Sequence, residues 1–300
     1  MRSPRLPAPL PVPYFELLRL TGVSSTDDRS TCEMDVGPWL LGAGELGIQA
    51  ALTGFADTLL SYAATAPDPN DLNVTLGLHV DFWRDPPRPG TRLTGTAEVQ
   101  HRQGSVALVH GRMLVGDEVL ATASLRAMAA PAPPAAVPTG AVPAGAGGAG
   151  PARPDASGPV PDADTPSTEP GGDLALVLAL ELATMGGTRV EHRPDGAVAL
   201  RLVPPARFER TVGVVHGGAV AAIGQLASAA ALHAALPAGV RPRRLSVAVD
   251  YLRPTPVGEP LVATARVTHR SRRVVLTEVE LATTGGRTTA RLVERSVIEP

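Results

Sequence analysis

His216, Gly217 and Gly218 stand at the entrance to an apolar run, GVVHGGAVAAIGQLASAAAL from Gly213 to Leu232, which carries one amide, Gln225, and no acid. The free N–H groups of a glycine-led helix start can bind a carbonyl or an anion. Hydrolysis also needs a group that moves a proton, and the run beyond the glycines supplies none. Elsewhere, reactive residue types are thinly spread. Cys32 is the only cysteine; beside Glu33 in a strand-like stretch it reads as an inert thiol, and alone it excludes an intrachain disulfide. His79, His101, His110 and His269 lie on strand-like runs without metal-ligand spacing. No GxSxG elbow marks a serine hydrolase.

The elements that must position these residues come from a chain of 300 residues, 44% hydrophobic, with a formal net charge of −2. That length supports two domains with real cores. Lysine is absent and the arginines are scattered, so neither nucleic acid nor an anionic membrane is expected as a partner. Prolines interrupt the N-terminal MRSPRLPAPLPVPYF, which therefore lacks the apolar core of a signal peptide. No run is read as reaching the roughly 18 apolar residues of a membrane span, and the expectation is a soluble, cytoplasmic chain.

Residues 129–172 are dominated by Ala, Pro and Gly and read as a flexible linker that can bury no core. It separates an N-terminal domain, 1–128, from a C-terminal domain, 173–300. The halves repeat each other. AEVQHR at Ala97–Arg102 aligns with ARVTHR at Ala265–Arg270 at an offset of 168, and HVDFWR at His79–Arg84 aligns with AVDYLR at Ala248–Arg253 at 169. In the first half a strand near 31–36 and a long helix over 45–64 precede strands near 72–84, 91–102, 105–115 and 118–128. In the second, a short helix from Asp173 and strands near 187–192 and 197–203 precede a helix over 217–236 and four more strands. Both long helices are apolar nearly all round, so each must be covered on most sides, as a strongly curved antiparallel sheet would cover it. The fold class is α+β.

The HGG entry, its AVAAIG continuation and the YLRP strand end resemble the PaaI-like acyl-CoA thioesterases of the hotdog fold, and FADTLLSYA at Phe55–Ala63 is similar to the LADTAxGYA segment of the same group. Neither half has both signatures. The resemblance implies a tandem, or double, hotdog, each half a curved sheet around a long central helix. It also places an acid nine residues after the HGG histidine, where this chain has Gln225. Position 57, 168 residues before Gln225, is Asp57, whereas Ile48, Gln49 and Ala50 stand where the second half has His216, Gly217 and Gly218. Along one helix Gly217 and residue 225 are about 12 Å apart, too far to share a carbonyl. In the family the helix start comes from one domain and the acid from its pair, so the expectation is one complete site, with Gly217 and Gly218 facing Asp57 across about 5 to 8 Å, and one relic of Ile48, Gln49, Ala50 and Gln225.

In that site the amides of Gly217 or Gly218 would hold the thioester carbonyl and its developing oxyanion. Asp57 would be general base or nucleophile. Thr75 would orient the water, and His216 would order the glycine turn or contact the carbonyl. Thr58, beside Asp57, is a substrate-side candidate. The family's Asn, six residues before the histidine, is Arg210 here; it and Arg253 and Arg272 are candidates for a CoA phosphate or a substrate carboxylate, arginine forks matching such groups. Arg84, Arg270 and Arg273 are weaker ones. The resemblance implies an acyl-CoA thioesterase acting on a medium, long or aryl acyl group without metal or cofactor, assembled as a homo-oligomer. A non-catalytic acyl-ligand protein and a purely structural, self-assembling hotdog remain alternatives.

Overall fold

A computed structural model describes residues 14, 18–26, 28–37, 45–65, 71–131, 188–211, 213–237, 239–240 and 242–298. Two long helices, α1 (Glu45–Ala63) and α2 (Gly217–Ala235), lie against a 12-stranded sheet of order β1-β2-β4-β5-β6-β3-β11-β14-β13-β12-β8-β7. The first half contributes β1 (Leu20–Ser25), β2 (Arg29–Asp35), β3 (Asp71–Phe82), β4 (Arg92–Gln103), β5 (Val106–Val115) and β6 (Glu118–Pro131). The second contributes β7 (Arg189–His192), β8 (Val198–Leu202), β11 (Pro242–Tyr251), β12 (Leu261–Arg270), β13 (Val274–Thr283) and β14 (Thr288–Ile298), with a small ribbon of β9 (Glu209–Thr211) and β10 (Val214–Val215) leading into α2.

The strand order reads the same from either edge once each strand is exchanged for its repeat. The halves join where β3 pairs antiparallel with β11, and His79 there faces Ala248, its own equivalent at the 169 offset. The sequence-predicted strands are present with ends shifted by one to three residues; β6 runs to Pro131, three residues into the expected linker. The rest of that linker and the helix expected from Asp173 lie outside the described residues. The β1 strand was not legible, being a mostly exposed edge without clean alternation.

Each helix is sequestered as its composition requires. Phe55, Leu59 and Leu60 of α1 and Ile223, Leu226 and Ala227 of α2 are all buried. The 19 residues of α2 are long and apolar enough to cross a membrane, which corrects the expectation that no run has that character. Its reason is packing: 83% of the helix window is buried against the sheet and α1, as a helix without a polar face demands. His216 caps α2 with extended backbone, its Nδ1 accepting from Gly218 N at 3.0 Å, while its carbonyl accepts from Ala219 and Val220. The helix ends at Leu236, whose extended backbone precedes Pro237.

Candidate functional site

The helices cross so closely that side chains are excluded at the contact. A Cβ on Gly218 would lie 2.5 Å from Cα of Gly54. Asp57 is three residues further along α1, on the same face as Gly54, and the crossing brings its carboxylate to the start of α2. Oδ2 accepts from Gly218 N at 2.8 Å, and Oδ1 accepts from Thr75 Oγ1 at 3.3 Å. A Cβ on Gly217 would stand 2.8 Å from Oδ2, closer than real Cβ contacts come. The glycine pair therefore divides two tasks: Gly218 admits the helix crossing, and Gly217 leaves room for the carboxylate.

The geometry brings Asp57, Thr75, His216, Gly217 and Gly218 together, as expected, but corrects the expected spacing. No gap of 5 to 8 Å separates acid from amide: Asp57 itself takes the Gly218 N–H, because the two-glycine crossing is tighter than two ordinary helices allow. The Gly217 N–H, at the first helical position, has no hydrogen-bond partner among the described residues.

Burial brings the pKa of Asp57 up towards neutral pH. The residue is 2% exposed, and burial raises its pKa from 3.8 to about 6 against the pull of Arg210's charge and of the Gly218 and Thr75 hydrogen bonds. Desolvation wins, yet at pH 7 the carboxylate is still ionised about ten to one. His216, also buried, falls to about 3 through burial and Arg210's charge, and is neutral. Its Nδ1 accepts from Gly218, so the proton sits on Nε2. The 3.3 Å approach of Nδ1 to Asp57 Oδ2 is thus two acceptors sharing one N–H, not an ion pair.

The other half-site is differently filled. Gln225 is buried, and neither its Nε2 nor its Oε1 has a hydrogen-bond partner among the described residues. Arg244 occupies the place of Thr75: β3 is irregular between Thr75 and Gly77, and β11 between Arg244 and Ser246, 169 residues on. Arg244 Nη1 donates to Oε1 of Gln49, across the halves, at 2.7 Å. Its Nε lies 2.8 Å from Glu294 Oε2, both side chains almost fully buried, as an ion pair by proximity rather than an aligned hydrogen bond. Glu294 answers to Leu125 of the first half. Ile48 and Ala50 are buried apolar neighbours of Gln49 on α1.

The three other substrate-side candidates are spread over the fold. Thr58 Oγ1 donates to the carbonyl of Gly54 within α1 at 3.0 Å, a helix back-bond that occupies its hydroxyl. Arg253 is exposed, with Nη1 on the Thr288 carbonyl at 2.8 Å. Arg272 lies in the β12–β13 hairpin, beside the Pro242 end of β11, whereas Tyr251 at the other end reaches Gly217. Arg210 does join the site, but Nη2 donates to the Asn73 carbonyl at 2.6 Å, so it braces the two halves and sets the local charge. Cys32 is buried, its thiol pushed up to about 12 by burial, consistent with inertness. Two tyrosines were missed. Tyr251 Oη donates to the Gly217 carbonyl at 3.0 Å, and Tyr14 stacks on His216 with ring centroids 4.6 Å apart. The YLRP strand end held a signal for the first; nothing around Tyr14 but prolines signalled the second.

Residues 212–290 match the family model described as the Thioesterase superfamily. A search of curated proteins gave no match. Among solved structures, the chain is similar to an acyl-CoA thioesterase II, TesB2, from Mycobacterium marinum, at 13% identity and TM-score 0.61, over 95% of this chain and 98% of that one. It is similar to a tesB protein of Mycobacterium avium subs paratuberculosis at 12% identity and TM-score 0.62, over 96% and 98%. A conserved hot dog fold protein of unknown function from Alicyclobacillus acidocaldarius gives 15% and 0.58, over 96% and 98%. The fold is the tandem hotdog.

Proposed function

We propose that the protein hydrolyses acyl-CoA thioesters at one site between its halves. The observation that carries this is the meeting of the buried Asp57 carboxylate, from the first half, with the glycine-led start of α2, from the second. The superfamily match over 212–290 and the thioesterases among the structures of like fold support it. The substrate carbonyl docks on the Gly217 N–H. Asp57, held by Thr75, takes a proton from a water that adds to the carbonyl carbon, the carbon–sulfur bond breaks, and the thiolate recovers that proton to leave as free CoA. Arg210 keeps Asp57 ionised near neutral pH. The PaaI-like subgroup, a medium, long or aryl acyl chain and a cytoplasmic setting belong to the same proposal.

One observation favours a second reading, a non-catalytic acyl-ligand protein: Asp57 already occupies the Gly218 amide, so a ligand must enter a closed site. Assay against a panel of acyl-CoAs with a thiol-reactive reporter separates the two. Hydrolysis should appear in the wild type, rise with pH through about 6 as Asp57 ionises, and vanish in Asp57→Asn. Wild-type rates no higher than those of that variant would leave only the binding reading.

A further inference from the structure

Tyr14 is a buried group at the site to which the proposed chemistry assigns no task. It is fully buried, stacked on His216 at 4.6 Å and 24°, and meets Phe208 edge-on at 6.2 Å. Its ring edge lies along the helix crossing. A Cβ on Gly218 would be 3.2 Å from Tyr14 Cε1, and a Cβ on Gly54 would collide with the Tyr14 hydroxyl. Gly54 lies one helical turn before Asp57 on the same face, so the phenol oxygen sits on the surface of α1 that carries the carboxylate, with the ring edge against Gly218 of α2.

That hydroxyl has no hydrogen-bond partner among the described residues. Buried hydroxyls are nearly always paired, and one left unpaired in a native structure calls for an explanation, a catalytic role among them. Burial and the Asp57 charge both raise its pKa, so it stays protonated and able to donate. The site also lacks a second carbonyl donor. Gly218 is engaged by Asp57, and Arg210 is turned to the Asn73 carbonyl.

We propose that the Tyr14 hydroxyl is the second donor to the substrate carbonyl, working beside the Gly217 N–H to hold the oxyanion. This rests on the reading of the site as a thioester hydrolase. When water adds to the carbonyl carbon and its proton passes to Asp57, the negative charge gathers on the carbonyl oxygen, held by one backbone and one phenolic donor. The phenol keeps its proton throughout. The charge leaves with the breaking carbon–sulfur bond, and the thiolate takes the proton from Asp57.

Tyr14→Phe tests the donor while keeping the ring that stacks on His216. Losing one oxyanion donor typically lowers kcat about 10²- to 10³-fold, and that fall is expected, with KM rising in step with the weakened hold on the carbonyl. Two non-hydrolysable ligands provide a readout that packing would not move: an acyl-CoA analogue with CH₂ in place of sulfur, which keeps the carbonyl, and an S-alkyl-CoA thioether, which lacks it. The variant should bind the first at least about tenfold more weakly and the second as the wild type does. Unchanged kcat, or equal weakening of both ligands, overturns the role of Tyr14. If the wild type hydrolyses no acyl-CoA, the reading of the site as a hydrolase fails, while the ligand pair still decides whether Tyr14 meets a carbonyl. A wild type that binds neither ligand overturns both.

Discussion

Asp57→Asn should remove hydrolysis and at the same time make the protein more stable at neutral pH. Unfolded, the carboxyl has its ordinary pKa of 3.8; folded, burial lifts it to about 6. Below pH 4 the group is protonated in both states and costs nothing. Between 4 and 6 the folded chain holds a proton that the unfolded chain releases, so stability falls as pH rises. Above 6 both are ionised and the folded protein bears the full burden. A tenfold change in proton affinity is worth roughly 1.4 kcal/mol, so the burden is at most about 3 kcal/mol. Asparagine has the same shape and can remain satisfied: its Oδ1 accepts from Gly218 N, its Nδ2 donates to Thr75 Oγ1, and the Thr75 hydroxyl turns to Ser61, 3.4 Å away. Denaturant unfolding of both proteins at pH 4.5 and 7.5 should show the variant gaining most of those 3 kcal/mol between the two, or on the order of 5 to 10 °C in Tm. A stability difference independent of pH would show that the Asp57 carboxylate is not held in a desolvated place, and with it the argument for a tuned base would go.

Gln225→Met should raise Tm by a few degrees and leave turnover unaltered, because each buried, unpaired polar atom of the amide costs about 1 to 3 kcal/mol; a lowered Tm would mean the amide has a partner after all. Gly217→Ala sets a methyl 2.8 Å from the carboxylate and should cost about 1 to 3 kcal/mol in urea unfolding, with hydrolysis falling at least tenfold; activity at the wild-type level would show that the crossing has slack. Arg244→Met strands the buried Glu294 and should destabilise by roughly 3 to 5 kcal/mol, whereas the double change with Glu294→Leu should recover most of it. A double variant as weak as the single one would remove the ion pair from the account.

Much of this fold was legible because two signals agreed. The apolar helices demanded a wrapped sheet, and the repeat gave the same strands twice. Asp57 was found through that repeat, not through any local pattern, since its helix reads as core on both sides. The spacing of acid and amide was misjudged because it depends on Gly54, an unremarked small residue until Gly218 is seen pressed against it. Tyr14 was illegible for a related reason: its environment of Phe208, His216 and Gly218 is assembled from the other half. Thr58, adjacent to Asp57 in sequence, turns its hydroxyl into its own helix, a placement that adjacency alone does not foretell.

The unlike residues on the two sides of the crossing decide which partner each half can take. Were two copies of the first half to dimerise, Gln49 would stand where Gly217 does and thrust a Cβ to 2.8 Å from the carboxylate oxygen, and Ala50 would press at 2.5 Å on the Cα of Gly54. Two copies of the second half would leave Arg244 facing glycine in place of the Gln49 oxygen it now meets. Each half, as built, therefore fits the other and not a second copy of itself, so the pair is specified by its unlike members as a key and its lock are.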